Sequence, residues 1–264
     1  MTSASLLINV IFYFIQKEAK MKTKTLITEY DSLSPWLDEL PFQWTTLEKE
    51  GQLIELKKGE VIFHSHQPSE SVYIVKAGRI RLFSVSELGD EKAIAIMGRN
   101  GLLGECSLFQ EKTYSTNAVT ASPSQLIKLT AATFMKEVLH DPTYCLQVWE
   151  MMSVKIRLLS FHTTQLAFRS SFQRTTDMFL QLGLTYGDKL DANRIHITIP
   201  FTHQEMANLV GATRVTIANH IRSLLELGVI SKSGKEYTIQ DLSKLLQHVN
   251  HPRSFLDYKR EEEK

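Results

Sequence analysis

The stretch from Thr202 to Ile221, THQEMANLVGATRVTIANHI, constrains the fold more than any other part of the chain. Thr202 and Glu205 form a T-x-x-E capping box, which starts a helix by satisfying its first free backbone amides. Met206, Leu209 and Val210 follow at spacings that put them on one side of that helix. Gly211 then supplies the backbone freedom a sharp turn needs. Thr213 is placed to cap a second helix, whose inward positions are Ile217, Ile221, Leu224 and Leu225. Two short helices hinged at Gly211 bury their stripes on one shared core. That leaves Arg214, Val215, Ala218, Asn219 and Arg222 on the outside of the second helix.

The chemistry of this outer face is specific. Arg and Asn side chains hydrogen-bond the major-groove edges of guanine and adenine, and Val215 can meet a thymine methyl. Small Ala218 lets a helix lie deep in a groove. Gly228 ends the helix, and VISKSGKEYTI reads as a hairpin turning at Ser233-Gly234, with Lys232 and Lys235 placed for phosphates. Helix, turn, helix and hairpin in this order predict a winged helix-turn-helix. An ordinary solvated helix pair would share the polar outer face. Here the cap, the glycine turn, both inward stripes and the basic hairpin occur together. Contacts to double-stranded DNA are expected from Thr202, Thr213 and Thr216, from Arg214, Val215, Ala218, Asn219 and Arg222, and from Lys232 and Lys235.

Bulk properties neither add to this nor oppose it. The chain has 264 residues and a formal net charge of +1, so no whole-chain field points to nucleic acid or membrane. Segment 168–248 carries nine Lys and Arg against seven acids, a weak bias of +2. Two cysteines, Cys106 and Cys145, are too few for a disulfide framework or a cysteine-ligated cluster, and suggest a cytoplasmic setting. The apolar run Leu6–Ile15 falls well short of the roughly twenty residues of a membrane span. It reads as a loose terminal helix, or as an extension ahead of a start at Met21.

From about Leu53 to Leu129 the runs LIELKK, VIFHSH, SVYIVKAG, RIRLFSVS, KAIAIMG and SQLIKL are strand-like and separated by turn signals. Many short strands predict a sandwich or jelly roll. After Asp141-Pro142, the residues Cys145, Trp149, Met152, Ile156, Leu159, Thr163 and Leu166 recur at alternating spacings of four and three. Such a seam joins two helices side by side, or packs one helix on its own domain. The expected organisation is an N-terminal extension (1–20), an effector-sensing β-roll (21–140), a dimerisation helix (141–168), a winged helix-turn-helix domain (169–250) and a charged tail (251–264). The class is α+β.

The segments HQEMANLVGATRVTIANHIRSLLELGVI, KKGEVIF, SVYIVKAGRIRLF and LLGECSLF resemble the cAMP receptor/FNR (Crp/Fnr) family of bacterial regulators. The resemblance runs from about Leu53 to His248. It implies a cyclic-nucleotide-binding-like jelly roll, a homodimer on a palindromic site, RNA polymerase as a partner and a small-molecule effector. The Gly104-Glu105 pair of the family's effector segment is present, but Ser115 and Thr116 stand where cyclic-nucleotide members carry an Arg-Ser pair. A buried phosphate without arginine lacks its bidentate partner, so cAMP is disfavoured. The implied effector residues are Gly104, Glu105, Ser115, Thr116, Lys155, Leu159 and Ser160. Lys155 and Val215 are similar to positions in the branch that responds to halogenated phenols, and Lys155 is expected to favour an anionic ligand. FNR-type iron–sulfur ligation lacks the cysteines it needs; haem ligation by His64, His66 or His162 stays open.

A different class competes at one place. His64-Ser65-His66 followed by Glu70 comes close to the first metal motif of cupins, which would make the barrel a metal sensor or enzyme. The flanking glycine spacings are off by one, and no second motif follows. The expectation is a regulator, not an enzyme.

Overall fold

The computed structural model describes residues 34–108 and 112–249. The run Leu6–Ile15, the start at Met21 and the tail from His251 lie outside the described residues. The N-terminal half holds two sheets. One has the order β1-β6-β5-β8-β3, formed by β1 (Trp36–Leu37), β3 (Val61–Phe63), β5 (Ile80–Val85), β6 (Glu91–Met97) and β8 (Asn117–Thr120). The other has the order β2-β9-β4-β7, formed by β2 (Gln52–Leu56), β4 (Ser71–Ala77), β7 (Leu102–Leu103) and β9 (Ser124–Thr130). Phe63, Leu82, Ala95 and Met97 of the first sheet share one core with Val72, Ile74, Leu102 and Leu126 of the second. Helices α1 (Thr45–Glu50) and α2 (Ala131–His140) add Leu47, Phe134 and Val138 to it. This is the α+β β-roll expected, although β1, β7, β8, α1 and α2 left no clear signal in the sequence.

The long helix α3 spans Pro142–Phe168. Asp141 caps it, accepting from the Thr143 amide at 2.8 Å, with Pro142 in the first turn. Tyr144, Val148, Met151 and Leu158 pack on the sandwich core. Along the proposed seam, Trp149 (64% exposed), Ile156 (62%), Leu159 and Leu166 face outward. Each large apolar side chain left in water forgoes roughly 1.5–3 kcal/mol of burial. An unpartnered stripe of this size therefore calls for a cover.

Helix α4 (Ser171–Tyr186) opens with a second capping box, Ser170 with Gln173. Its buried Met178, Phe179 and Leu182 meet a sheet of order β10-β11-β13-β12. The strands are β10 (Gly187–Lys189), β11 (Ile195–Ile197), β12 (Ile230–Ser233) and β13 (Glu236–Ile239). β10 forms because Gly187–Lys189 pair with Ile195–Ile197 across the turn. Helices α5 (His203–Val210), α6 (Arg214–Glu226) and α7 (Leu242–Val249) complete this core through Met206, Ile217, Ile221, Leu224 and Leu245. Trp36, Ala93 and Ile96 from the β-roll belong to the same cluster, so the two halves are packed together. No helix among the described residues is long and apolar enough to cross a membrane.

The Thr202–Glu205 capping box forms, and Gly211 closes α5 in the left-handed region at φ 74°. A Cβ at Gly211 would sit 3.2 Å from Leu166 Cδ2. Gly211→Ala is expected to lower unfolding free energy by roughly 1–2 kcal/mol, the cost of a left-handed L-residue. Denaturant titration checks this, and an unchanged midpoint contradicts it.

Candidate functional site

Helix α6 is set by its own cap and by the core beneath it. The Thr213 hydroxyl accepts from the Thr216 amide at 3.1 Å, and the two hydroxyls lie 2.8 Å apart. Ile217, Ile221 and Leu224 are fully or nearly fully buried. The opposite face presents Arg214, Val215, Asn219 and Arg222 to solvent, with Ala218 half-buried between them. Val215 is 69% exposed, which a β-branched apolar side chain does not favour without a partner surface. Thr202 and Thr213 serve first as caps, so their hydroxyls are partly engaged within the protein.

Beside this face lies an open groove of about 760 Å³, lined by Arg214, Lys232, Lys235, His203, Thr202 and Lys58 among others. Lys232 stands over the Tyr237 ring, 5.3 Å from its centroid, which braces the wing. Burial and then the charges of Lys232 and Arg214 hold the His203 imidazole below its ordinary pKa. Arg214, Lys232, Lys235 and Lys58 outnumber the carboxylate of Glu205 along this groove, and such a balance attracts phosphate. His203 and Lys58 escape a sequence reading. Lys58 comes from the β2–β3 turn, 147 residues before Glu205 of α5, and only the fold brings the two within 3.9 Å.

A second site lies inside the β-roll. Gly104, Glu105, Ser115, Thr116, Lys155 and Leu159 line one cavity of about 120 Å³ together with Phe63, Leu82, Ile94 and Tyr114. Ser160 is exposed and is not among its lining residues. Glu105 follows Gly104, whose left-handed backbone (φ 85°) turns the chain into a short 3-10 segment, Glu105–Leu108. The Glu105 side chain is 0% exposed. Its Oε1 accepts from Lys155 Nζ at 2.6 Å and from Cys106 Sγ at 3.2 Å. Lys155 Nζ also donates to the Leu102 carbonyl at 2.8 Å. Among the described residues Glu105 Oε2 has no hydrogen-bond partner. Burial and then the Glu105 charge push the Cys106 thiol up to about 12, so it stays protonated and donates.

This pairing corrects the expectation that Lys155 selects an anion. Its ammonium is already neutralised by a carboxylate, and the unpaired polar group in the cavity is an acceptor. The metal motif fails on geometry as well. His64, His66 and Glu70 are all exposed, and His64 Nδ1 lies 3.3 Å from Asn117 Oδ1 instead. His66 falls in a turn with φ 67°. Among the described residues no group of three or more His, Cys, Asp or Glu is close enough to hold a metal ion. His162 stands apart from both sites, and burial followed by the Lys92 charge holds it down to about 4.

With both sites described, comparison with known proteins is decisive. Residues 53–141 match the cyclic nucleotide-binding domain, and residues 173–248 match the Crp-like helix-turn-helix domain. The chain belongs to the Crp/Fnr family. Its members and domains are transcriptional regulators rather than enzymes. One relative of this Crp/Fnr chain is the CRP-like cAMP-activated global transcriptional regulator of Mycobacterium tuberculosis. That protein is 23% identical over 209 residues, 79% of this chain and 93% of the relative. The global nitrogen regulator of Synechococcus elongatus is 27% identical over 190 residues, 71% of this chain and 85% of the relative. A structure of OCPA-complexed CprK superposes with a TM-score of 0.66 at 17% identity, covering 81% of this chain and 97% of CprK. At that identity the likeness shows the fold alone.

Lys155→Met is expected to cost about 3 kcal/mol of stability, because it strands the Glu105 charge in the interior. Adding Glu105→Gln should recover most of the loss. A double-mutant cycle by urea unfolding measures both, and an unchanged midpoint for Lys155→Met alone contradicts the prediction.

Proposed function

We propose that this Crp/Fnr protein is a cytoplasmic, homodimeric regulator that binds a palindromic DNA site under control of a small ligand. The observation that carries the reading is the α6 face, where Arg214, Val215, Asn219 and Arg222 stand exposed beside a positively charged groove. Arg214, Asn219 and Arg222 supply base-edge donors, Val215 meets thymine, and Ala218 allows close approach. Lys232 and Lys235 take phosphates, and the caps Thr202 and Thr213, with Thr216 in the first turn of α6, can share a hydroxyl with the backbone of the DNA. The outward stripe of α3 supports a second copy packed side by side, which puts two recognition helices about 34 Å apart in successive major grooves. RNA polymerase is the partner through which such a bound dimer acts.

The effector reading follows from the cavity. An engineered cavity of ~150 Å³ holds benzene, so about 120 Å³ suits a ligand with one small ring or its equivalent. Phe63, Leu82 and Tyr114 supply apolar contact, and Glu105 Oε2 asks for an O–H or N–H donor. The absence of arginine at Ser115 and Thr116 argues against cAMP, and the Lys155–Glu105 pair argues against a free carboxylate. The relation to the halogenated-phenol-responsive branch rests on Lys155 and Val215, and it survives here only for a ligand in its protonated, donating form.

The cAMP-binding members carry Arg, Glu and Arg where this helix has Arg214, Val215 and Asn219; without that glutamate, which accepts from cytosine, the half-site is expected to be richer in A·T than that of the cAMP receptor. Selection of the purified protein on random duplex DNA tests this, and recovery of the cAMP-receptor site refutes it. On the selected duplex, Arg214→Ala should weaken binding by ~1–3 kcal/mol. Lys235→Ala should weaken all sequences alike and lower the salt slope by about one. Unaltered affinity in Arg214→Ala removes the basis of the reading.

A further inference from the structure

The turn of the DNA-binding motif is held by side chains from outside the motif. Lys92, on sensor strand β6, donates from Nζ to the Leu209 carbonyl at 2.8 Å and to the Ala93 carbonyl at 2.7 Å. Arg174, on α4, donates from Nε to the Val210 carbonyl at 3.0 Å and from Nη2 to the Gly211 carbonyl at 3.1 Å. One residue earlier, Asn208 Nδ2 donates to Glu91 Oε2 at 2.8 Å, again on β6. Leu209 and Val210 are the last residues of α5, whose carbonyls have no partner within the helix. Cations at a helix C-terminus also oppose the negative end of its dipole.

Lys92 is a costly choice for packing alone. Burial and then the Arg174 charge lower its pKa to about 8, so the ammonium is held where it is disfavoured. A methionine would fill similar space without that cost. What the ammonium adds is a directed hydrogen bond from the sensor domain to the reading motif. Ile94 and Ala95, two and three residues further along β6, line the effector cavity. At roughly 3.3 Å per residue, one short piece of strand touches both sites.

We propose that Lys92 is a positioning residue for DNA recognition: with Arg174 it clamps the carbonyls of Leu209, Val210 and Gly211 and so fixes the angle at which α6 leaves α5. The sensor domain thereby sets the placement of the recognition helix through a bond, and not only through the shared apolar core. This rests on the DNA-binding reading above.

The test uses the full chain, the duplex selected by wild type, and two readouts. Lys92→Met should weaken duplex binding roughly threefold to thirtyfold, the range of coupling mutations that touch no ligand. It should also speed hydrogen exchange at the amides of residues 209–213, with the melting temperature near that of wild type. Lys92→Arg, which keeps a donor and a charge, should restore both. Wild-type affinity or tighter binding in Lys92→Met overturns the proposal, as does a loss that Lys92→Arg fails to restore. Should Lys92→Met unfold, Asn208→Ala cuts the neighbouring tie to Glu91 and carries the same test. No change in its affinity or exchange overturns the proposal. If wild type selects no duplex, the DNA-binding reading fails, while exchange at residues 209–213 still decides whether the clamp exists.

Discussion

Between two capped helices the backbone at Gly211 must turn left-handed, and three other parts of the chain converge on that turn. Leu166 of α3 lies against it, Lys92 of β6 and Arg174 of α4 bind its carbonyls, and Thr213 begins the next helix. Glycine is used because any Cβ would add both left-handed strain and a contact with Leu166. The angle between α5 and α6 is therefore not a property of the motif alone. It is fixed where the β-roll, the long helix and the C-terminal core meet, so a change in any of them reaches the recognition helix through short, directed contacts.

The helix-turn-helix was legible because its determinants are local. Capping boxes act over three residues, a glycine turn over one, and helical stripes over a dozen. The strands of the β-roll were legible as short apolar runs, but their pairing was not. β8 and β9 lie between β-neighbours 34 to 76 residues away in sequence, and nothing in NAVT announces a central strand. The cavity shows the same limit in another form. Gly104, Glu105, Ser115, Thr116, Lys155 and Leu159 were identified and do line one space. That Glu105 and Lys155, fifty positions apart, bind each other is a fact of the fold, and it reverses the charge argument made from Lys155 alone. Of the residues missed, Lys92, Arg174 and Lys58 act on groups 36 to 147 positions away. The cupin-like spacing misled for the complementary reason: His64, His66 and Glu70 are close in sequence, but they follow the end of β3 into a turn and point to solvent.

The Glu105–Lys155 pair is the charged part of a cavity whose other walls are apolar (Phe63, Leu82, Ile94 and Leu158) or neutral polar (Ser107, Ser115 and Thr116). Burying both charges costs several kcal/mol per ion, and replacing such a pair by apolar residues is often neutral or stabilising. Among the described residues only one of the two carboxylate oxygens has a hydrogen-bond partner, so these groups do not recover the full hydrogen-bonding return of the pair. Stability alone does not favour this arrangement. Under the proposed ligand reading, the arrangement keeps one acceptor available for a molecule that brings its own donor.

The long helix connects these features. Its seam positions recur every three and four residues, and two of them carry a second role. Leu159 lines the effector cavity, and Leu166 packs against Gly211 in the reading motif. Seven residues, about 10 Å of helix rise, separate them. A second copy laid on this stripe would cover Trp149, Ile156, Leu159 and Leu166 together, because they share one face. Association, ligand occupancy and the position of the DNA-binding turn then act on the same few side chains. A ligand that shifts Leu159 alters the surface offered to the partner, and a partner that fixes Leu166 removes freedom from the turn. Linkage makes each effect reciprocal. In such an arrangement no separate relay between the sites is needed, since α3 is a wall of the cavity, would be the face of the proposed dimer, and supports the reading motif at once.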